Sequence, residues 1–120
     1  MSRMLIVEDE EVLADSLQDI FLGEGHQVRT VHNGRDALQE LARQRVDLVL
    51  LDLMLPLVDG VSVLEALRRD SPSTAIIVVS ACARSTLRGL PVEGYLRKPF
   101  SLDALLGQVK SVLKNGSTGD

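Results

Sequence analysis

Four places along the chain carry side chains that could do chemistry in concert. Glu8-Asp9-Glu10-Glu11 follows one apolar run, Asp52 a second, Ser80 a third, and Lys98-Pro99 a short fourth. Taken singly, each has an ordinary role. An acid ahead of a helix caps it or complements its dipole, an Asp after a strand is a turn residue, a serine is a capping hydroxyl, and a lysine is a solvated amine. For Glu10 and Glu11 that role, N-cap or dipole partner, is the preferred one. Glu8, Asp9, Asp52, Ser80 and Lys98 differ, because if their runs are neighbouring strands they share one edge of a sheet. Four unrelated caps have no reason to meet there.

Electrostatics says what such a cluster needs. Ionised carboxylates several ångströms apart repel pairwise by roughly 1 to 4 kcal/mol in a partly wetted cleft. The Lys98 ammonium offsets one of the three charges, and a divalent cation would cancel the other two. Oxygen donors without histidine or thiolate favour a hard ion. A site that keeps waters and receives phosphate suits Mg²⁺ better than Ca²⁺. A metal beside one free carboxylate, with lysine and serine opposite, is an arrangement for phosphoryl transfer. The carboxylate attacks phosphorus in line while cation, ammonium and hydroxyl hold the equatorial oxygens. Asp52 is the candidate nucleophile.

The elements that must position these groups are legible in the hydrophobic pattern. Leu5-Ile6-Val7, Leu48-Val49-Leu50-Leu51 and Ala75-Ile76-Ile77-Val78-Val79 are continuous apolar runs, the signature of strands buried on both faces of a parallel sheet. Val28 to Val31 and Tyr95-Leu96 are shorter candidates for the edges. Stripes of helical period lie between them: Leu13, Leu17, Ile20 and Phe21; Ala37, Leu38, Leu41 and Ala42; Val63, Leu64 and Leu67; and Leu102, Leu105, Leu106, Val109, Val112 and Leu113. Gly25 is placed to end the first helix in the left-handed region, and Ser101 to cap the last. Strand and helix alternate, and parallel neighbours need long crossovers, so the expected architecture is an α/β, doubly wound open parallel sheet. Ligands of such sheets bind at the carboxyl ends of the strands, where the polar residues fall.

Composition bounds the rest. The 120 residues are 45% hydrophobic and 25% charged, enough for one core and too few for two. Seventeen acids against thirteen Lys and Arg give a net charge of −4, and no basic run suggests direct nucleic-acid binding by this domain. Cys82 is the single cysteine, so neither an internal disulfide nor a cysteine zinc framework is expected. The apolar start at Met4 meets acids at once, too soon for a signal peptide or membrane span. A cytoplasmic protein is the expectation. Residues 1–114 read as one domain and 115–120 as a flexible tail or cut linker.

These motifs, in this order, resemble the receiver domain of two-component response regulators. Val7-Glu8-Asp9-Glu10, Asp52-Leu53-Met54-Leu55-Pro56-Leu57-Val58-Asp59-Gly60, Ser80-Ala81 and Tyr95-Leu96-Arg97-Lys98-Pro99-Phe100 carry the resemblance, which spans Arg3 to Lys114. The resemblance implies a CheY-like, flavodoxin-like five-stranded sheet of order 2-1-3-4-5. It implies that Asp52 accepts a phosphoryl group from a histidine kinase or histidine phosphotransfer protein. Glu8, Asp9, Asp52 and the backbone carbonyl of Met54 would hold Mg²⁺. Lys98 would pair with Asp52 and then with the phosphoryl group, through a cis Lys98-Pro99 peptide. Ser80 would be the switch hydroxyl and Tyr95 the switch aromatic. The output would be an effector domain or a second copy of the chain.

One stretch departs from that pattern. Ala81 to Gly94 is about one helical turn shorter than the resemblance leads one to expect. Gly89 and Pro91 break a helix, and the apolar positions make no stripe. A short, irregular or mobile fourth helix is expected, which puts the usual output face in question. The chief rival reading is accordingly a pseudo-receiver, a protein-interaction domain not controlled by phosphorylation. A phosphatase using Asp52 as nucleophile is less favoured, since Met54 stands where such enzymes want a second acid. A turnover enzyme is not expected.

Overall fold

The computed structural model describes residues 2–116. Five parallel strands, β1 (Arg3–Val7), β2 (Gln27–Val31), β3 (Leu48–Leu51), β4 (Ala75–Ser80) and β5 (Gly94–Arg97), form one sheet of order β2-β1-β3-β4-β5. Helices α1 (Glu11–Gly23), α2 (Gly34–Arg43) and α3 (Gly60–Asp70) make the first three crossovers, and α4 (Leu102–Gly116) follows β5. The fourth crossover contains only a four-residue 3₁₀ turn, Arg84–Leu87. Proline, glycine and the missing apolar stripe leave this stretch nothing from which to build an amphipathic helix.

The continuous apolar runs are explained by alternation. Met4 and Ile6 of β1, Leu48 and Leu50 of β3, and Ile77 and Val79 of β4 point to one face, against Leu17 and Phe21 of α1 and Leu105 and Val109 of α4. Leu5, Val7, Val49, Leu51, Ile76 and Val78 point to the other, against Ala37 of α2, Val63, Leu64 and Leu67 of α3, and Leu87 of the 3₁₀ turn. Successive side chains of a strand face opposite ways, so a strand covered on both sides needs apolar residues at every position. Each fully buried Leu, Ile or Val contributes about 1.5–3 kcal/mol relative to exposure.

The helix ends follow their local chemistry. Gly25 adopts φ 95° just beyond α1. Asn33 accepts the Asp36 N–H at 2.7 Å, Asp59 the Ser62 N–H at 3.0 Å, and Ser101 the Ala104 N–H at 3.1 Å, each capping the helix that follows. Two expectations need correction. Glu10 occupies the N-cap position of α1 but its side chain makes no capping bond, so of the two expected roles the dipole one stands, with Glu11 in the first turn. In α2, Ala42 is exposed while Glu40 is buried, bonded to Arg29 at 3.1 Å and Arg43 at 3.2 Å. The expected tail from residue 115 begins inside α4, which runs to Gly116; residues 117–120 lie outside the described residues.

Candidate functional site

The strand ladders end where the polar residues begin. The Glu8 N–H donates to the Val31 carbonyl, the Asp52 N–H to the Val7 carbonyl and the Lys98 N–H to the Ser80 carbonyl, at 3.0, 3.0 and 2.9 Å. The sheet's own hydrogen bonds thus set Glu8, Asp52, Ser80 and Lys98 side by side. Asp9 follows Glu8 with its side chain exposed. One carboxylate oxygen from each of Glu8, Asp9 and Asp52 lies within 4.8 Å of the others.

Lys98 ties the cluster together. Its Nζ donates to Glu8 Oε1 at 2.8 Å and to Asp52 Oδ2 at 3.1 Å. The second oxygens are held by backbone, Glu8 Oε2 accepting the Glu10 N–H and Asp52 Oδ1 the Met54 N–H, both at 3.1 Å. The lysine was expected to pair with Asp52; the structure shares it between two acids. The Glu10 N–H, a free helix-end donor in the capping picture, is taken by Glu8. Lys98-Pro99 is cis.

Ser80 is fully buried at the end of β4, its Oγ accepting the Cys82 N–H at 3.1 Å. The hydroxyl hydrogen is left to donate elsewhere. Among the described residues it bonds to none of the acids or to Lys98. The Tyr95 hydroxyl donates to the Cys82 carbonyl, and the Arg84 guanidinium lies 5.6 Å from its ring centre. Met54 presents an exposed side chain beside the acids. One contact escaped sequence reasoning: His32 Nδ1 lies 3.0 Å from the Glu8 carbonyl oxygen. A lone histidine in a loop carries no signal that could have found it.

Burial raises the Glu8 pKa above its ordinary 4.5, outweighing the hydrogen bonds from Lys98 and the Glu10 N–H that lower it. Burial would depress Lys98, but its hydrogen bonds to Glu8 and Asp52 prevail and raise it above 10.5. The two partners therefore shift the same way, because desolvation dominates at the more enclosed Glu8. A lysine raised on folding contributes stability that is complete below its unfolded pKa and is lost as pH rises through the folded one. Glu8, an acid raised on folding, favours the native state most when protonated, so its contribution falls as pH rises above 4.5. Thermal melts carried past pH 10.5 are expected to show a loss of stability that a Lys98→Met chain lacks.

Gly60 fixes the loop that carries Asp52. Its N–H donates to the Leu53 carbonyl at 2.9 Å, and a Cβ there would stand 2.3 Å from the Leu53 Cα and 2.4 Å from the Asp52 carbonyl oxygen. Both are backbone atoms, so Gly60→Ala must displace the loop. A cost of about 1–3 kcal/mol is expected in chemical denaturation.

Residues 4–110 match the family model of the response regulator receiver domain. The chain belongs to the response-regulator receiver family. Receiver relatives include the transcriptional regulatory protein PcoR of Escherichia coli, 36% identical over 118 residues covering 95% of this chain and 52% of that protein. The sensory transduction protein RegX3 of Mycolicibacterium smegmatis is 38% identical over 123 residues, covering 100% and 54%. The chain spans about half the length of these curated relatives. Among solved structures, a CheY-like receiver protein from Methanospirillum hungatei superposes with a TM-score of 0.94 at 25% identity, covering 100% of this chain and 99% of that one. The response regulator TrrA from Thermotoga maritima, solved in complex with Mg²⁺-BeF, gives 0.86 at 32% identity, covering 93% and 99%.

Receiver domains bind Mg²⁺ at an acidic site, and the donor set here fits that ion: three carboxylates, with no thiolate or imidazole among them. Among the described residues, no helix of this receiver is long and apolar enough to cross a membrane.

Proposed function

We propose that this receiver is the phosphoacceptor of a two-component phosphorelay, with Asp52 as the residue phosphorylated. The observation that carries the reading is the nearly buried Asp52 carboxylate at the end of β3, sharing Lys98 with Glu8 and clustered with Asp9. The donor is a histidine kinase or histidine phosphotransfer protein. The unit that does this includes α4 through Gly116, and the signal passes to an effector domain or a second copy of the chain, in the cytoplasm.

Asp52 supplies the nucleophilic oxygen. A phosphorus–oxygen bond forms to its carboxylate as the phosphorus–nitrogen bond of the donor phosphohistidine breaks, and the imidazole leaves with the electron pair. Glu8, Asp9, Asp52 and the Met54 carbonyl would hold Mg²⁺, which would supply positive charge to offset that of the phosphoryl group. Lys98 moves from the free carboxylates to a phosphoryl oxygen. The buried Ser80 hydroxyl donates to another, drawing the chain after β4 inward. Tyr95 follows, exchanging its bond to the Cys82 carbonyl for a more enclosed position.

The test is incubation with a small acyl-phosphate donor, with and without Mg²⁺, read by intact mass. One phosphoryl group per chain, dependent on Mg²⁺, is expected. The reduction of the fourth crossover to a 3₁₀ turn favours the rival, a pseudo-receiver whose contacts ignore phosphorylation. That reading requires an unlabelled chain.

A further inference from the structure

The β1–β2 ladder runs one residue past the strands. Val7 faces Val31 in register, and the Glu8 N–H extends the ladder by bonding the Val31 carbonyl at 3.0 Å. The next rung would need a β2 backbone N–H to meet the Glu8 carbonyl, but the chain turns away here because Asn33 is already the N-cap of α2. The His32 ring takes that rung instead, with Nδ1 at 3.0 Å. A carbonyl oxygen only accepts, so Nδ1 carries the hydrogen.

The geometry assigns to His32 the role of a positioning residue for the acidic cluster: by holding the Glu8 carbonyl it fixes the peptide plane from which Asp9 departs. The peptide unit is rigid, so the Glu8 C=O and the Asp9 N–H move as one body. Glu8 is already held through its N–H and both carboxylate oxygens. The Asp9 side chain is exposed and has no hydrogen-bond partner among the described residues, so its direction rests on its backbone. His32 bonds the Glu8 carbonyl and none of the three carboxylates, and so acts through the backbone of Glu8 and Asp9. This inference rests on the reading of Glu8, Asp9 and Asp52 as an Mg²⁺ site, so the test measures Mg²⁺ binding itself.

The experiment is an Mg²⁺ titration followed by amide chemical shifts on wild type, His32→Asn and His32→Leu, with melting temperatures and metal-free exchange of the Asp9 amide alongside. Asparagine offers an amide N–H close to where Nδ1 lies; leucine keeps bulk without a donor. His32→Leu is expected to weaken Mg²⁺ binding about tenfold, the low end for loss of a group that orients a ligand, and to speed Asp9 amide exchange. His32→Asn is expected to behave as wild type. Should the leucine variant not fold, His32→Gln gives the same contrast, since its amide lies one methylene too far out. Unchanged affinity in the leucine variant, or in the glutamine variant where leucine does not fold, overturns the inference, as does an asparagine variant that loses as much as leucine at equal melting temperature. A wild type that binds no Mg²⁺ overturns the reading of the site itself.

Discussion

Asp52→Asn is expected to abolish acyl-phosphate labelling while leaving the fold intact. The amide oxygen can still accept from the Met54 N–H or from Lys98, both of which now bond the carboxylate, so the loop keeps its anchors. What disappears is the negative charge and the nucleophilic oxygen. Removing that charge also relieves repulsion with Glu8, so the metal-free variant is expected to melt at or above the wild-type temperature. Mg²⁺ affinity is expected to fall tenfold or more, roughly the weight of one unit charge at ligand distance in a wetted cleft. Equal labelling of both proteins, read by intact mass, would place the phosphoryl group elsewhere and defeat the proposed function.

Lys98→Met is expected to produce the largest change in stability. The lysine is 23% exposed, while the acids it joins, Glu8 and Asp52, are 4% and 8% exposed. Methionine fills a similar volume and leaves two enclosed carboxylates facing each other. Breaking a fully buried pair costs about 3–5 kcal/mol. Partial wetting of the ammonium reduces this to about 2–4 kcal/mol. On the proposed function the native cluster binds Mg²⁺ and the unfolded chain does not, so saturating Mg²⁺ is expected to restore a large part of the loss. Urea titrations of both chains, with and without the ion, measure this. A methionine variant as stable as wild type without metal would show that Lys98 does not neutralise the cluster.

The strands were legible because burial on both faces forces unbroken apolar runs, and Leu48 to Leu51 reads the same way in sequence and in structure. The irregular fourth crossover was legible for the opposite reason, since Gly89, Pro91 and an absent stripe forbid a helix. The clustering of Glu8, Asp9 and Asp52 followed from the rule that strands of one sheet end together. Pairings across the fold were not legible. Periodicity treats a charge as solvent-seeking, so it assigns Glu40 outward, whereas Arg29 on β2 and Arg43 one turn along α2 hold it inside. Lys98 was expected to serve one acid, and only the three-dimensional position of Glu8 shows that it serves two. His32 stayed invisible because its role is to replace a backbone donor, which no side-chain pattern records.

The 3₁₀ turn between β4 and β5 has a consequence for how Lys98 is placed. The Lys98 N–H meets the Ser80 carbonyl although the crossover between them contains only a 3₁₀ turn. The position of the ammonium beside the acids is thus set by the ladder of β4 and β5 and not by a helix in the crossover. One residue inserted within β5 would turn Lys98 to the opposite side of the sheet. The stretch that has no regular helix and the stretch that places the ammonium are thus separate parts of the same chain.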